Sequence, residues 1–254
     1  MRDTASHPVL SIVTVTFRDA DGLRATLDSL ETVLSDPRVE CIVVDGSMDP
    51  ATRAHCEAMR VRLISEPDDG IYDAMNKGVS AAHGKYIWFL NGGDRASGMN
   101  VAAWRALVDL LCSENEEMHT FGYEIESDRR RQVRSARPGV YIWHALPSSH
   151  QAILFPREAT LRVGGYDLSY VVSADYQLAA CLFKDGLRFR RHRQVIARFV
   201  TGGTSTVNAA QIAVDAGRVQ REILRLPRLL RGLSRGLHTL SVRVRAALHP
   251  SREQ

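Results

Sequence analysis

Four short segments of the sequence are polar, acidic or rich in glycine, and each comes at the end of a run of apolar residues. The segments are Thr16–Arg18, Asp45–Ser47, Ser65–Asp69 and Asn91–Asp94. Carboxylate and amide oxygens are the ligands that hard divalent cations prefer, and they also hydrogen-bond the polar groups of small molecules. Brought together by the fold, the four segments would form a site for a phosphate-bearing ligand held with a metal ion.

The apolar runs predict the elements that position these segments. Each run has the β-branched or aromatic content of a buried strand, and each is followed by apolar residues three or four apart, as on one face of a helix. The strands are predicted at Val9–Phe17, Cys41–Asp45, Val61–Ile64 and Tyr86–Leu90. Four such alternations in the first 111 residues predict a parallel α/β sheet. Because open parallel sheets bind ligands at the carboxyl ends of their strands, all four segments are expected at one edge.

The second half of the chain has a less regular pattern. A strand and an exposed loop or hairpin are predicted within residues 119–137, and a helix capped by Ser173 is predicted at Ala174–Asp185. Phe189–Val200 is predicted to be an antiparallel strand, and the chain from Ala209 onward to be helical and cationic. The absence of GxGxxG and GxxxxGK[ST] motifs argues against dinucleotide-binding enzymes and P-loop nucleotide hydrolases.

The composition is typical of a folded globular protein. The chain has 254 residues, of which 44% are hydrophobic and 24% charged, and these fractions exclude a disordered or fibrous protein. No apolar run approaches the ~20 residues of a membrane span, and residues 1–10 lack the apolar stretch of a secretion signal. The four cysteines lie far apart without a CxxC pair, which is typical of a reducing compartment, so a cytoplasmic protein is expected.

Positive charge is concentrated at the C-terminal end. The net charge is +4, but the stretch from Arg218 onward has nine arginines and two glutamates, which leaves the rest of the chain slightly acidic. An acidic body argues against nucleic-acid binding. Leucines three or four apart alternate with the arginines of this stretch, and such a basic amphipathic pattern predicts contact with an anionic membrane surface. Packing of the tail on the body, or on a second copy, is the alternative.

Six motifs, taken in order, resemble those of the family 2 glycosyltransferases, and most closely those of the bacterial exopolysaccharide group of the colanic-acid biosynthesis type. The motifs are SEPDDGIYDAMNKG (Ser65–Gly78), AAHGKYIWFLNGGD (Ala81–Asp94), SHQAILF (Ser149–Phe155), GGYD (Gly164–Asp167), SADYQL (Ser173–Leu178) and GGTS (Gly202–Ser205). The resemblance covers about residues 9–206. It implies an α/β protein of the GT-A fold, with a Rossmann-like, mostly parallel sheet flanked by helices. A domain of residues 1–206 would comprise a donor half (about 9–111) and an acceptor half (about 112–206), followed by a basic amphipathic helical tail at 207–254.

The resemblance implies an inverting transfer of a sugar from a nucleotide-sugar donor to a hydroxyl of a lipid-linked or polysaccharide acceptor, in cell-envelope or exopolysaccharide biosynthesis. Such a reaction needs a divalent cation, Mn²⁺ or Mg²⁺, to neutralise the leaving diphosphate, and a general base for the acceptor hydroxyl. The expected partners are the donor, the acceptor and an anionic membrane surface, with no nucleic acid. The expected location is cytoplasmic and peripheral, on the inner face of the cell membrane.

The same resemblance assigns roles to individual residues. Asp175 is the catalytic base and Asp94 the metal ligand. The donor-binding residues are Thr16, Phe17, Asp45, Asp69, Asp73, Asn76 and Asn91. The residues on the acceptor or diphosphate side are His150, Gln151, Gly203 and Ser205. The chain departs from the family pattern twice: the acidic motif is reduced to Asn91–Gly92–Gly93–Asp94, which weakens the expected metal affinity, and Ala174 replaces an acidic residue before Asp175.

Several of these residues also have a structural interpretation. Asp45 would shape a turn after a strand, Asp73 and Asn76 would stabilise a helix start, and His150 would be a packed, hydrogen-bonded residue. Two other functions stay open. The reduced acidic motif suits a non-catalytic nucleotide-sugar-binding partner of another transferase. A nucleotidyltransferase would share the sheet and the metal, but the basic glycine-rich loop expected after its first strand is missing here.

Overall fold

A computed structural model of the protein describes residues 8–113, 116–127, 130–200 and 209–248. In it, the first half of the chain alternates strands and helices as predicted. Its elements are β1 (Leu10–Thr16), α1 (Ala20–Leu34), β2 (Val39–Asp45), α2 (Pro50–Met59), β3 (Arg62–Ser65), α3 (Ile71–Ala81), β4 (Tyr86–Asn91), β5 (Arg95–Ala96) and α4 (Val101–Ser113). Side-chain caps fix two helix starts, because Asp19 accepts the Gly22 N–H before α1 and Asp49 accepts the Ala51 N–H before α2.

The predicted parallel sheet is present, and its register brings the four polar segments to one edge. Strands β3, β2, β1 and β4 are neighbours in that order and run parallel. Thr16 pairs with Asp45, Asp45 with Ser65, and Val15 with Asn91. The carboxyl ends of all four strands therefore meet, as the sequence predicts.

The second half extends this sheet. Its elements are β6 (Met118–Ser127), β7 (Arg130–Arg134), 3₁₀ turns at Gly139–Trp143 and His150–Ala152, β8 (Ile153–Pro156), α5 (Arg157–Arg162), α6 (Ala174–Lys184), β9 (Phe189–Val200), α7 (Ala209–Glu222) and α8 (Arg228–Leu248). The strand order is β3-β2-β1-β4-β8-β6-β9-β5, with β7 paired to β6 as a hairpin. Both pairings of β8, with β4 and with β6, are antiparallel, so the complete sheet is mixed.

Two details of the second half differ from expectation. β9 runs parallel to its long neighbour β6 and antiparallel only to the two-residue β5, so the prediction of an antiparallel strand is wrong for most of its length. The direction of a strand depends on which neighbour it meets, and a local pattern does not encode that. Ser173 directly precedes α6, but its side chain makes no capping hydrogen bond within the described part of the chain.

Apolar side chains pack on both faces of the sheet. Val13, Ile87 and Phe89 belong to one core, whereas Leu10 and Trp88 belong to the other, as the alternation of side chains along a strand requires. Helix α7 adds its residues Ala216 and Val219 to the first core, so the start of the basic tail packs on the body. Among the described residues, no helix combines the length and the apolar character that a membrane crossing needs.

Candidate active site

A cavity of about 360 Å³ opens between the end of β1 and the start of α3. Thr16 and Phe17 line one side of the cavity, and Asp68, Gly70 and Ile71 line the other. The Phe17 ring is 59% exposed and lies 5.2 Å from the Arg18 guanidinium. Two predicted donor-binding residues thus share one cavity, which offers an exposed aromatic face to a planar ligand.

The Asp45 carboxylate, at the end of β2, is fully buried and shapes the turn that follows. Its Oδ1 accepts hydrogen bonds from the Ser47 N–H (2.9 Å) and hydroxyl (2.5 Å), and its Oδ2 accepts one from the Asp49 N–H (2.8 Å). These three bonds match the turn interpretation of Asp45. The turn also packs tightly, because a Cβ at Gly46 would lie 1.8 Å from an oxygen of Asp68.

The acidic residues at the start of α3 interact with the chain itself. The Asp73 carboxylate accepts the Asp69 N–H at 3.0 Å and lies 3.3 Å from the Lys77 ammonium. The same ammonium lies 3.2 Å from Glu66. Asp69, in contrast, is exposed at the surface. Of the predicted donor residues here, Asp73 therefore stabilises the helix start, which was the structural alternative for it.

Asn76 is engaged with a distant loop. Its Nδ2 donates to the Tyr166 carbonyl and its Oδ1 accepts the Tyr166 N–H, both at 2.9 Å. Gly165, at φ +71°, leaves room for this pairing, since a Cβ there would lie 2.5 Å from the Asn76 oxygen. Both ends of the Asn76 amide are thus used to hold the GGYD motif against α3. The donor contact of Asn76 stays a prediction.

Asp94 and Gln151 are in contact just after the end of β4. The buried Asp94 Oδ2 accepts the Asn91 N–H at 2.9 Å and the Gln151 amide at 3.1 Å. Burial raises the pKa of Asp94 to about 6, although these two hydrogen bonds oppose the shift. The Asn91 Oδ1 is buried beside them and has no hydrogen-bond partner among the described residues. The end of β4 thus presents one carboxylate and one amide oxygen without a partner among the described residues.

Asp175 lies in the first turn of α6 and faces His150. The Asp175 Oδ2 lies 3.8 Å from the His150 Nδ1, and its Oδ1 accepts the Tyr176 N–H at 2.7 Å. Burial raises the pKa of Asp175 to about 6 and lowers the pKa of His150 to about 4. At neutral pH the histidine is therefore uncharged and the carboxylate is ionised. This is the arrangement of a general base whose pKa lies close to working pH.

A second cavity, of about 190 Å³, adjoins Asp175. Its walls are mostly apolar and come from the segment before β8, from α6 and from the tail helices; they include Leu146, Val172, Ile212 and Ala216.

Tyr72 and Tyr166 connect the start of α3 with the segment before α6. Their rings stack with centroids 5.4 Å apart, and the Tyr72 hydroxyl donates to the Val172 carbonyl, two residues before α6. Burial and the nearby Asp175 charge raise the pKa of both hydroxyls. Both tyrosines lie inside quoted motifs, but only the fold shows that they meet. Gly203 and Ser205 lie outside the described residues.

The chain has the GT-A fold of solved glycosyltransferases. A mannosyltransferase of Pyrobaculum calidifontis, solved with GDP-Man and Mn²⁺, has a TM-score of 0.64 at 13% identity, covering 99% of this chain and 78% of that one. Staphylococcus aureus TarS 1–349, solved with UDP-GlcNAc, has a TM-score of 0.59 at 12% identity, covering 85% of this chain and 71% of that one.

Sequence comparison then fixes the family. Residues 11–146, more than half of the chain, match Glycosyl transferase family 2. An uncharacterized glycosyltransferase of Mycobacterium tuberculosis is 32% identical over 210 residues, which cover 79% of this chain and 78% of that one. A PGL/p-HBAD biosynthesis glycosyltransferase of the same species is 28% identical over 196 residues, 74% of this chain and 75% of that one. The chain belongs to glycosyl transferase family 2.

Proposed function

We propose that the protein is an inverting glycosyltransferase that moves a sugar from a nucleotide-sugar donor to a hydroxyl of a lipid-linked or polysaccharide acceptor, in cell-envelope or exopolysaccharide biosynthesis. The observation that carries this proposal is the half-buried Asp175 carboxylate, with a pKa raised to about 6, beside a neutral histidine and a mostly apolar cavity. A carboxylate held in this way is poised to accept a proton at neutral pH.

The donor nucleotide is assigned to the cavity at the end of β1. Phe17 offers an exposed ring for stacking with a base. Thr16 lines the same cavity and lies close to Gly92. The structural relatives were solved with UDP-GlcNAc and with GDP-Man, so both uracil and guanine are candidates for the base. Asp45, which hydrogen-bonds within its own turn, would shape this cavity and would contact the base only after rearrangement of the turn.

The oxygen atoms beside β4 fit a divalent cation that a donor diphosphate helps to hold. Asp94 supplies one carboxylate and Asn91 an unpartnered amide oxygen, and no group of three or more His, Cys, Asp or Glu side chains in the described residues could hold a cation alone. Mg²⁺ commonly takes one or two protein carboxylates and completes its shell with phosphate oxygens and water. When bound, Mn²⁺ or Mg²⁺ would neutralise charge on the leaving diphosphate.

The transfer would be a single displacement. The acceptor hydroxyl oxygen forms a bond to the anomeric carbon while the bond from that carbon to the diphosphate oxygen breaks, and the hydroxyl proton passes to Asp175. Because His150 is neutral at pH 7, it leaves the Asp175 charge uncompensated and the carboxylate basic. Attack on the face opposite the leaving group inverts the configuration of the anomeric carbon.

A peripheral membrane location is proposed from helix α8. Its buried Ser234 hydrogen-bonds His144 (2.7 Å) and Gln220 (2.8 Å), so the helix packs on the body through a polar side. Three leucines at helical spacing stay exposed, among the arginines of the same helix: Leu230, Leu233 and Leu237. An exposed apolar stripe flanked by arginines suits an anionic bilayer surface. Changing the three leucines to Asn should abolish cosedimentation with phosphatidylglycerol vesicles and leave transfer to a soluble acceptor intact.

The proposed function is tested with purified protein and a nucleotide panel. Thermal unfolding is measured with UDP, dTDP, GDP or CDP, each with and without Mn²⁺ or Mg²⁺, followed by release of nucleotide from the matching sugar donor. A nucleotide at 100 times its Kd should add about 2.7 kcal/mol to the free energy of unfolding. A metal-dependent shift with one nucleotide, and acceptor-dependent release of that nucleotide, are expected. Binding without release would favour the non-catalytic partner, and no binding would contradict both.

A further inference from the structure

Asp215 is a buried carboxylate in the tail helix α7, and it hydrogen-bonds the backbone that directly precedes α6, the helix that carries Asp175. Asp215 is 3% exposed. Its Oδ2 accepts the Val172 N–H at 3.0 Å and the Ser173 N–H at 3.1 Å, and its Oδ1 accepts the Gln211 amide at 2.8 Å. Every one of these bonds is to an uncharged donor. Burial of a carboxylate that has no charged partner costs free energy of desolvation, so we expect these hydrogen bonds to have a role.

The two backbone groups that Asp215 binds directly precede α6. The first turn of any helix leaves N–H groups without partners inside the helix, and a side chain at the cap position normally satisfies one of them. Ser173 occupies that position but forms no such bond within the described residues. Asp215, from another helix and 42 positions along the chain, holds the backbone at this point instead. The next residue but one after Ser173 is Asp175.

We propose that Asp215 is a positioning residue, which fixes the backbone at Val172 and Ser173 so that the Asp175 carboxylate is held towards His150 and the acceptor cavity. This inference rests on the proposed function of Asp175 as the base. The first turn of α6 carries Asp175 one residue after the helix start, so a shift of this backbone moves the carboxylate directly. Displacement of a catalytic group by about 1 Å can reduce a rate about 100-fold.

The charge of Asp215 also acts on Asp175. Burial is the main cause of the raised pKa of Asp175, backbone hydrogen bonds oppose it, and the Asp215 charge adds to it. The other titratable groups that face Asp175 or line its cavity are His150, Tyr72, Tyr166, Tyr176 and His238. Removing the Asp215 charge should therefore move the acidic limb of the kcat profile to lower pH.

Two substitutions separate position from charge. In Asp215→Asn the amide oxygen can accept both N–H groups and the amide nitrogen can donate to a rotated Gln211, so geometry is kept and charge is lost. We expect near-normal kcat at pH 8 and an acidic limb shifted to lower pH. Asp215→Ala loses both the hydrogen bonds and the charge, so kcat should fall about 10- to 100-fold with the donor KM unchanged. Hydrogen exchange at the Val172 and Ser173 amides should speed up in Asp215→Ala and stay slow in Asp215→Asn.

The matched control is Asp36→Asn. Asp36 is a buried carboxylate too, but it binds Arg38 beside the opposite end of β1, so its loss should lower the unfolding temperature without changing kcat, the pH profile or exchange near α6. Wild-type kcat and slow exchange in Asp215→Ala would overturn the inference, even if Asp175→Asn is inactive. A wild-type protein without any transfer would instead contradict the proposed function, and the exchange measurement would still decide whether Asp215 holds this backbone.

Discussion

The polar residues of the site fall into two regions that the protein treats differently. The donor edge, formed by the turn after β2 and the start of α3, uses its polar groups on itself: Asp45, Asp73 and Asn76 all hydrogen-bond nearby or facing backbone. The proposed catalytic edge, formed by Asp94 and Asp175 with their neighbours, leaves several polar groups without a counter-ion or a hydrogen-bond partner among the described residues. Both carboxylates have a pKa raised to about 6 by burial, and the buried His150 Nε2 has no partner within the described part of the chain.

This difference distinguishes the residues that stabilise the fold from the residues that we propose take part in the reaction. Buried polar groups are normally hydrogen-bonded, so an unsatisfied group in a native fold calls for an explanation, and shifted pKa values concentrate at functional sites. At the donor edge the hydrogen bonds stabilise the backbone that shapes the cavity. At the proposed catalytic edge the two carboxylates lack a charged partner among the described residues, as is expected where a ligand or a proton is to be bound.

The sharpest test of this comparison is Asp175→Asn. An amide cannot accept the acceptor proton, so kcat should fall about 100- to 10,000-fold, whereas the Kd for the donor nucleotide should stay unchanged. Steady-state transfer and calorimetric binding measure the two quantities. Asp73→Asn at the donor edge is the matched control, with an expected loss of less than threefold. Retained transfer in Asp175→Asn would remove Asp175 from the mechanism.

The same variant should be more stable than the wild type. Because the pKa of Asp175 is raised on folding, the folded protein binds the proton more tightly than the unfolded chain, and ionisation destabilises the fold as the pH rises through about 6. At pH 7.5 Asp175→Asn should therefore raise the free energy of unfolding by about 1–3 kcal/mol. The gain should disappear below about pH 4, where the wild-type carboxylate is protonated in both states. Urea unfolding at the two pH values measures this, and equal stability at pH 7.5 would contradict the uncompensated charge.

The third prediction concerns the metal. Asp94→Asn keeps the shape of the side chain but removes its charge, so the stabilisation of UDP or GDP complexes by Mn²⁺ should be lost and transfer should fall on the order of 100-fold. Thermal unfolding with each nucleotide, with and without Mn²⁺, reports the first effect. Nucleotide binding without Mn²⁺ serves as the internal control and should be unaltered. A variant that responds to Mn²⁺ like the wild type would place the cation elsewhere.

The sequence predicts the first half of the fold well, because local patterns determine it. The β-branched runs, the caps at Asp19 and Asp49, and the ends of parallel strands place Thr16, Asp45 and Asn91 at one edge. What it misses depends on contacts between distant parts of the chain. Asn76 meets Tyr166 across 90 positions, and β9 takes its direction from β6. A pattern within one helix or strand carries no information about such partners, so the pairing of Asn76 with Tyr166 could not be predicted from the sequence.

The fourth prediction is that Asn76→Ala lowers the stability of the fold and does not change nucleotide binding. The substitution leaves the Tyr166 N–H and carbonyl without partners, so the free energy of unfolding should drop by about 2–3 kcal/mol. The Kd of the donor nucleotide, measured below the unfolding transition, should not change. Ser80→Ala, an exposed neighbour one turn along α3 that bonds the Asn76 carbonyl, is the control and should be nearly silent. A weakened Kd with normal stability would return Asn76 to the donor site.

The smallest effect is expected from Phe17→Ala, because this exposed ring gives the cavity a stacking surface but gives the fold little. The Kd of the donor nucleotide should rise about 3- to 10-fold, in proportion to a lost aromatic contact. The free energy of unfolding should change by less than about 0.5 kcal/mol, since the ring is 59% exposed. Phe17→Tyr, which keeps the ring, should bind like the wild type. If Phe17→Ala instead lowers stability and leaves the Kd unchanged, the ring packs rather than binds, and the nucleotide must be sought outside this cavity. The donor edge would then be scaffold throughout, and only the catalytic edge would meet the ligand.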